Sequence, residues 1–317
     1  MYFTKKHLLF GLKLSAGSGL LLLLFYQVDF DSFLQILAQV KLKYFLLSIF
    51  ISIISLLAKA YKWHLLLEIQ GGNISVRRAV NLTFISIFFN NFFLGTLGGD
   101  GFRALKTLNS TDKKAGAVTA IIMDRITGVI ALVSVVIVSA GGGLLLGTAL
   151  SKVPMMNQVF QLSLLSLLVG VSILIGFVKI KDRIVLRRPG KVLKFMMDVL
   201  QALGKHRLTE KNVVIAYFLS VIYHLLTVLA MYAFVLAVGI SINGFDLLVI
   251  VPIVAFLLMV PISVNGIGVQ EGAFFFSFVL IGVTSDQALV LSILPRIGVI
   301  VISLFGAFLF MLERKTT

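Results

Sequence analysis

The sequence predicts an all-α polytopic membrane protein. We read residues 1–317 as a single integral-membrane domain of about eight transmembrane or re-entrant helices, with two Gly-rich broken segments. Three observations predict this. Hydrophobic residues make up 59% of the 317 positions and charged residues 13%, with a mean hydropathy of +1.07. Soluble domains carry roughly a quarter charged residues, so a chain this long could not cover a water-facing surface. Apolar runs close to the roughly 20 residues that cross a hydrocarbon core recur along the whole sequence. Finally, the 28 Lys and Arg against 13 Asp and Glu, a net charge of +15, gather in a few connecting segments. In a soluble chain such an excess would suggest nucleic acid; here it reads as topogenic charge. The composition excludes a soluble globular protein, a disordered chain and a nucleic-acid-binding domain.

The first span runs from Leu8 to Gln27, after Lys5 and Lys6. No small-x-small cleavage site follows, so it reads as an uncleaved helix rather than a signal peptide. The segment 28–41 holds Asp29, Asp31 and Lys41 and reads as an outside loop. Leu42 to about Leu67 spans again, and its Lys59-Ala-Tyr-Lys62-Trp63-His64 end reads as a basic and aromatic interface anchor. The stretch 79–97 is rich in Phe and Asn and ends in Gly95-Thr-Leu-Gly98-Gly99-Asp100-Gly101-Phe102-Arg103. Basic residues flank it on both sides: Arg77 and Arg78 before it, Arg103, Lys106, Lys113 and Lys114 after it. A full crossing would put one cluster outside, so the expected form is a re-entrant hairpin entered from the cytoplasm. Broken backbone at membrane depth is tolerated only where protein buries it or it lines a wet cavity.

Ala115 to Val138 is a span with Asp124 and Arg125 inside it, and Gly141-Gly142-Gly143 with Pro154 marks an outside loop. Gln161 to Val178 spans next. The segment 179–212 carries ten Lys and Arg and reads as a cytoplasmic loop. Within it, Lys191 to Leu203 has the apolar spacing of an amphipathic helix on the inner leaflet. Val213 to Val238 spans with His224 inside, and Phe245 to Val264 spans with Pro252 and Pro261. Asn265 to Val283 is a short piece, too short to cross, and Ala288 to Leu312 is the last span, with Arg296 near its start. Both termini are expected in the cytoplasm of a cell-membrane protein.

Chemistry falls on a few positions. A charge at the centre of a span costs about 2.5–3.5 kcal/mol on insertion scales, so Asp124, Arg125 and Arg296 need partners or a ligand. Each has two readings: a structural ion pair, or an anion site where Arg presents its planar donor fork to a phosphate; Arg296 has snorkelling as a third. Asp100 and Arg103 share a helix face if a helix starts at the Gly turn. Asp100 and Glu271 could each cap the helix that follows. Alternatively, freed N–H groups at Gly98, Gly99, Gly101, Gly266, Gly268 and Gly272 hold an anionic headgroup, with Asn90, Asn91 and Asn265 bonding it. His224 reads as an interhelical hydrogen bond. The two broken segments share an order: Asn, several Gly, then an acid followed by Gly. Paired interrupted segments point to a transporter site; coincidence between Gly-rich turns is the competing explanation.

Cysteine is absent, and none of the four His has a His partner at i, i+4. No disulfide, metal or cofactor is expected. Gly-x-Ser-x-Gly, Walker and His-Glu-x-x-His signatures are missing, so transport rather than catalysis is the leading reading.

Together Phe89-Asn90-Asn91, Gly98-Gly99-Asp100-Gly101-Phe102-Arg103, Met123-Asp124-Arg125, Pro261-Ile-Ser-Val-Asn265-Gly266-Ile-Gly268-Val-Gln-Glu271-Gly272 and Arg296 resemble the flippase-like family, also called the lysylphosphatidylglycerol synthase transmembrane-region family. The resemblance runs over nearly the whole chain. It implies a bundle with re-entrant segments that moves a membrane lipid between leaflets. We expect a substrate cavity built from Asn91, Asp100, Arg103, Asp124, Arg125, Asn265, Glu271 and Arg296. The sequence ends five residues after Leu312, and the expectation is a stand-alone member without a synthase domain. The lipid could be a phospholipid or a polyprenyl-linked glycan carrier, and a homo-oligomer or a partner synthase is compatible. A membrane-embedded transferase or accessory subunit, and a small-solute transporter, are the alternatives.

Overall fold

The computed structural model describes residues 2–92, 97–108, 110, 114–153, 156–180, 211–260 and 262–314. Among them there are helices and turns and no strand. The helices are α1 (Tyr2–Tyr26), α2 (Phe30–Ala38), α3 (Leu42–Ile69), α4 (Val76–Phe92), α5 (Leu97–Thr107) and α6 (Lys114–Leu146). Then follow α7 (Met156–Ile180), α8 (Lys211–Val238), α9 (Gly244–Leu257), α10 (Val269–Leu280) and α11 (Ser285–Arg314), with 3₁₀ turns at Leu150–Lys152 and Val264–Gly266. Helices are the expected solution because an apolar solvent leaves backbone groups no partner but their own chain. Among the described residues α3, α6, α8 and α11 are long and apolar enough to cross a membrane. The basic segment 181–210, with its expected amphipathic helix, lies outside the described residues, as do Gly95, Lys113, Pro154 and Pro261.

The expected spans at α3, α6, α7, α8 and α11 appear as helices, most of them longer than read. Three expectations need correction. The segment 28–41 holds a helix: α2 lies at 93° to the end of α1. Asp29 starts it, accepting from the Asp31 N–H at 3.1 Å and the Ser32 hydroxyl at 3.0 Å, as N-cap aspartates do. Second, Gly141-Gly142-Gly143 is no loop. It continues α6, and the missing side chains let Phe160 and Phe245 close on the helix; a Cβ at Gly142 would come within 3.0 Å of the Phe245 ring. Third, 245–264 is not one span. α9 has 14 residues, about 21 Å of helix, and the chain then turns through Val264–Gly266 into the 12-residue α10.

The hairpin expected at 79–97 is present. α5 folds back on α4, and the Asn73 N–H donates to the Ser110 carbonyl at 2.9 Å. The chain therefore leaves the hairpin beside the point where it entered. Single hydrogen bonds tie the long helices together. Ser48 donates to the Ala230 carbonyl at 2.9 Å between α3 and α8, and Ser139 to the Leu248 carbonyl at 3.0 Å between α6 and α9. Such bonds and small-residue contacts hold helices together where lipid removes the hydrophobic drive between them. One apolar core joins α8, α9, α10 and α11 around Phe275, Phe278 and Leu289. A second joins α3, α4, α6 and α8 around Trp63, Leu66 and Leu82.

Candidate functional site

The charges read from the sequence gather in two clusters. The first is a chain of alternating sign. Lys62 on α3 lies 2.6 Å from an Asp124 carboxylate oxygen on α6. The other oxygen of Asp124 is 3.4 Å from the Arg103 guanidinium on α5. Arg103 also pairs with Asp100 three residues earlier, and Asp100 accepts from Arg125 on α6, whose Nε lies at 2.9 Å. Asp124 and Arg125 are neighbours in sequence yet serve different partners, as residues about 100° apart on a helix must. Lys62, Asp100, Arg103 and Asp124 are all buried. Their mutual pairing is what makes such burial tolerable, since an uncompensated charge in a low-dielectric interior is costly.

Trp63 lies beneath this chain. It is fully buried, with its ring 4.9 Å from the Arg103 guanidinium carbon, a cation–π contact. This overturns the interface-anchor reading of Lys62 and Trp63. Their side chains face α5 and α6, not the membrane surface. Lys62 donates further to the Asp124 carbonyl and the Ser220 hydroxyl, both at 3.0 Å. His224 makes the expected interhelical bond, its Nε2 lying 3.1 Å from the Gly128 carbonyl.

A cavity of about 230 Å³ opens beside the chain of charges. Lys59, Lys62, Asp100, Asp124, Arg125 and Tyr223 are among the residues lining it, with Ser220, His224 and Leu258. Arg125 is the exposed end of the chain: its side chain retains 35% of its accessible surface, against 1% for Arg103. Lys59 sits over the Tyr223 ring at 5.5 Å.

The second cluster lies at the α9–α10 turn. Glu271 accepts from Arg296 Nε at 2.7 Å and from the Gly268 N–H at 2.7 Å. It is thus both the cap of α10 and an ion-pair partner. Arg296 also donates to the Asn265 carbonyl at 2.9 Å. The side chain of Arg296 is 15% exposed, which removes the snorkelling reading. Asn265 donates its amide to Asn91 at 2.7 Å, joining the two broken segments directly. In both clusters an Arg Nε bonds an acid 25 residues earlier, the acid lying in the first turn of its helix, among glycines in α5 and after Gly266 and Gly268 in α10. The likeness read between the segments thus extends to the geometry of their ion pairs.

The glycines divide. Gly266 and Gly268 have positive φ, 69° and 79°, and make the turn. Gly98, Gly99 and Gly101 instead lie in α5, and Gly272 lies in α10. Gly99 brings α5 against α4: its N–H donates to Asn90 Oδ1 at 2.7 Å, and a Cβ there would strike the Ser86 carbonyl. Of the expected cavity residues Asp100, Asp124 and Arg125 line the cavity, whereas Asn91, Arg103, Asn265, Glu271 and Arg296 are not among its lining residues. From sequence, Lys59 and Lys62 read as interface anchors and Ser220 and Tyr223 carry no role, yet all four line the cavity. A lysine pair three apart near the end of a long span was the available signal.

Long apolar helices with a buried ionic chain bordering a cavity define a class: all-α integral-membrane proteins with ionisable residues inside the bundle. The family model for the lysylphosphatidylglycerol synthase TM region matches residues 8–306, and the chain belongs to that family. No curated protein matches it.

Proposed function

We propose that the protein is a lipid translocase of the cell membrane. In this reading the polar cavity receives the headgroup of an anionic, aminoacylated or glycan-linked lipid. The observation that carries it is the placement of Arg125. It is the partly exposed terminus of an otherwise buried chain of charges, and it opens into a cavity also lined by Lys59. Buried ionisable residues in a membrane protein mark substrate paths more often than not, and Arg presents a fork suited to phosphate. Family membership supports a lipid-related role. The alternating chain fixes Arg125 at the cavity wall.

Leaflet exchange of fluorescent phospholipids in proteoliposomes tests this reading. Wild-type protein is expected to accelerate exchange, and Arg125→Ala to slow it at least tenfold at equal reconstitution. Equal rates for the two proteins would overturn the cavity mechanism. Covalent alteration of a lipid during incubation would favour a membrane-embedded transferase instead. In this reading both termini and the ends of the α4–α5 hairpin lie in the cytoplasm. The chain has no cysteine, so Ser110→Cys supplies a unique label site. Labelling by an impermeant reagent from the outside alone would refute this orientation.

A further inference from the structure

The cavity at Arg125 is small for a lipid. At about 230 Å³ it falls below the roughly 300–1,000 Å³ of pockets that enclose a drug-sized ligand. It has room for a headgroup but not for a whole lipid. A second concavity of about 300 Å³ lies between α6 and α7, and Arg125 lines both. Beyond Arg125 its walls are Ile126, Val129, Ile130 and Val133 on α6 and Leu167 and Gly170 on α7, with Ser166 at its edge. The α6 residues are spaced three and four apart, so they form one stripe along the helix. From Ile126 to Val133 the stripe covers about 11 Å of helix. A Cβ at Gly170 would meet no atom within 4 Å, so the groove is open at that point.

Charge sets the head end. Among the described residues, Lys59, Lys62 and Arg125 line the cavity with Asp100 and Asp124, and Arg103 lies behind them, paired with both carboxylates: four cations and two carboxylates. The surplus of two positive charges matches a phosphate of charge −2 and repels a cationic headgroup. We infer that the α6–α7 groove and the cavity are the two halves of one amphiphile site. The cavity takes an anionic phosphate headgroup at Arg125 and Lys59, and the groove takes the first part of its hydrocarbon chain. The inference rests on the headgroup reading above and adds the chain path and the sign of the headgroup.

The test is equilibrium binding of phosphatidic acid to the detergent-purified full chain, with phosphatidylcholine in parallel. Phosphatidic acid is expected to bind at least tenfold more tightly than phosphatidylcholine. Gly170→Phe fills the groove without striking backbone and is expected to weaken phosphatidic acid binding about tenfold with thermal unfolding unchanged. Ser166→Phe, at the exposed edge of the groove, gives the same test if Gly170→Phe folds poorly. Leu168→Phe, on the outward face of α7, is expected to leave affinity unchanged. Full affinity in the groove-filling variants with a loss in Arg125→Ala would overturn the chain path and leave the headgroup cavity standing. Full affinity in Arg125→Ala would overturn the headgroup reading itself. Equal binding of the two lipids would overturn the preference for an anionic head.

Discussion

At the residue scale, the informative positions are charges that differ in exposure. Lys62 and Asp124 form a buried pair at 2.6 Å, with side chains 7% and 5% exposed. Removing Lys62 leaves the buried Asp124 with only the longer Arg103 contact at 3.4 Å, and breaking a buried pair costs up to about 3–5 kcal/mol in measured cases. Lys62→Met is therefore expected to lower stability by about that amount in detergent unfolding. Lys62→Met combined with Asp124→Asn should recover part of the loss, because no buried carboxylate is then left without its nearest cation. Strict additivity of the two losses would show that the residues do not interact. Arg78 and Glu313 are also 2.6 Å apart, yet the Arg78 side chain is 38% exposed. Arg78→Ala should then cost no more than about 1 kcal/mol. The sequence exposed Asp124 and Arg103 as anomalies because they stand among apolar neighbours. It concealed Lys62, because a lysine three residues after Lys59 and beside Trp63 looks the same whether it faces an interface or a carboxylate. The deciding partner is 62 positions away.

At the scale of elements, the glycine-rich motif separates into positions with different physics. Gly99 and Gly101 both lie in α5, two residues apart. A Cβ on Gly99 would meet the Ser86 carbonyl and the side chain of Asn90, whereas one on Gly101 would meet nothing within 4 Å. Gly99→Ala should separate α4 from α5 and break the bond from the Gly99 N–H to Asn90. A loss of about 1–3 kcal/mol is expected, the range seen when overpacking forces a shift. Gly101→Ala should be neutral or add about 0.5–1 kcal/mol, since glycine inside a helix is less favourable than alanine by that amount. Thermal unfolding of the two variants in the same detergent distinguishes them; a Gly101→Ala variant as unstable as Gly99→Ala would refute the contact argument. The basic residues on both flanks led to the expectation of a hairpin, and α5 does fold back on α4. Pattern reading mistook Gly141-Gly142-Gly143 for a loop because glycine marks a turn and a close helix contact with equal strength. Phe160 and Phe245 decide between them, and they lie on other helices.

At the scale of the whole molecule, the two Arg–acid pairs repeat one geometry in two environments. Arg125 and Arg296 each bond, through Nε, an acid 25 residues earlier. Arg296 is 15% exposed, and its acid, Glu271, is 3% exposed and also holds the Gly268 N–H. Arg125 is 35% exposed, and its acid, Asp100, keeps a second partner in Arg103. Loss of Arg125 therefore leaves Asp100 paired, while loss of Arg296 leaves Glu271 without a cation among its described contacts. Arg296→Ala is expected to behave as a folding lesion, costing about 3–5 kcal/mol and loosening the α9–α10 turn where Asn265 meets Asn91. Arg125→Ala is expected to unfold within about 1 kcal/mol of wild type while losing exchange activity. The two variants measured side by side, by thermal unfolding and by leaflet exchange per folded molecule, separate a cluster that holds the broken segments together from one that meets a ligand. If Arg296→Ala were the stable, inactive variant and Arg125→Ala the unstable one, the ligand-facing role would move to the α9–α10 turn.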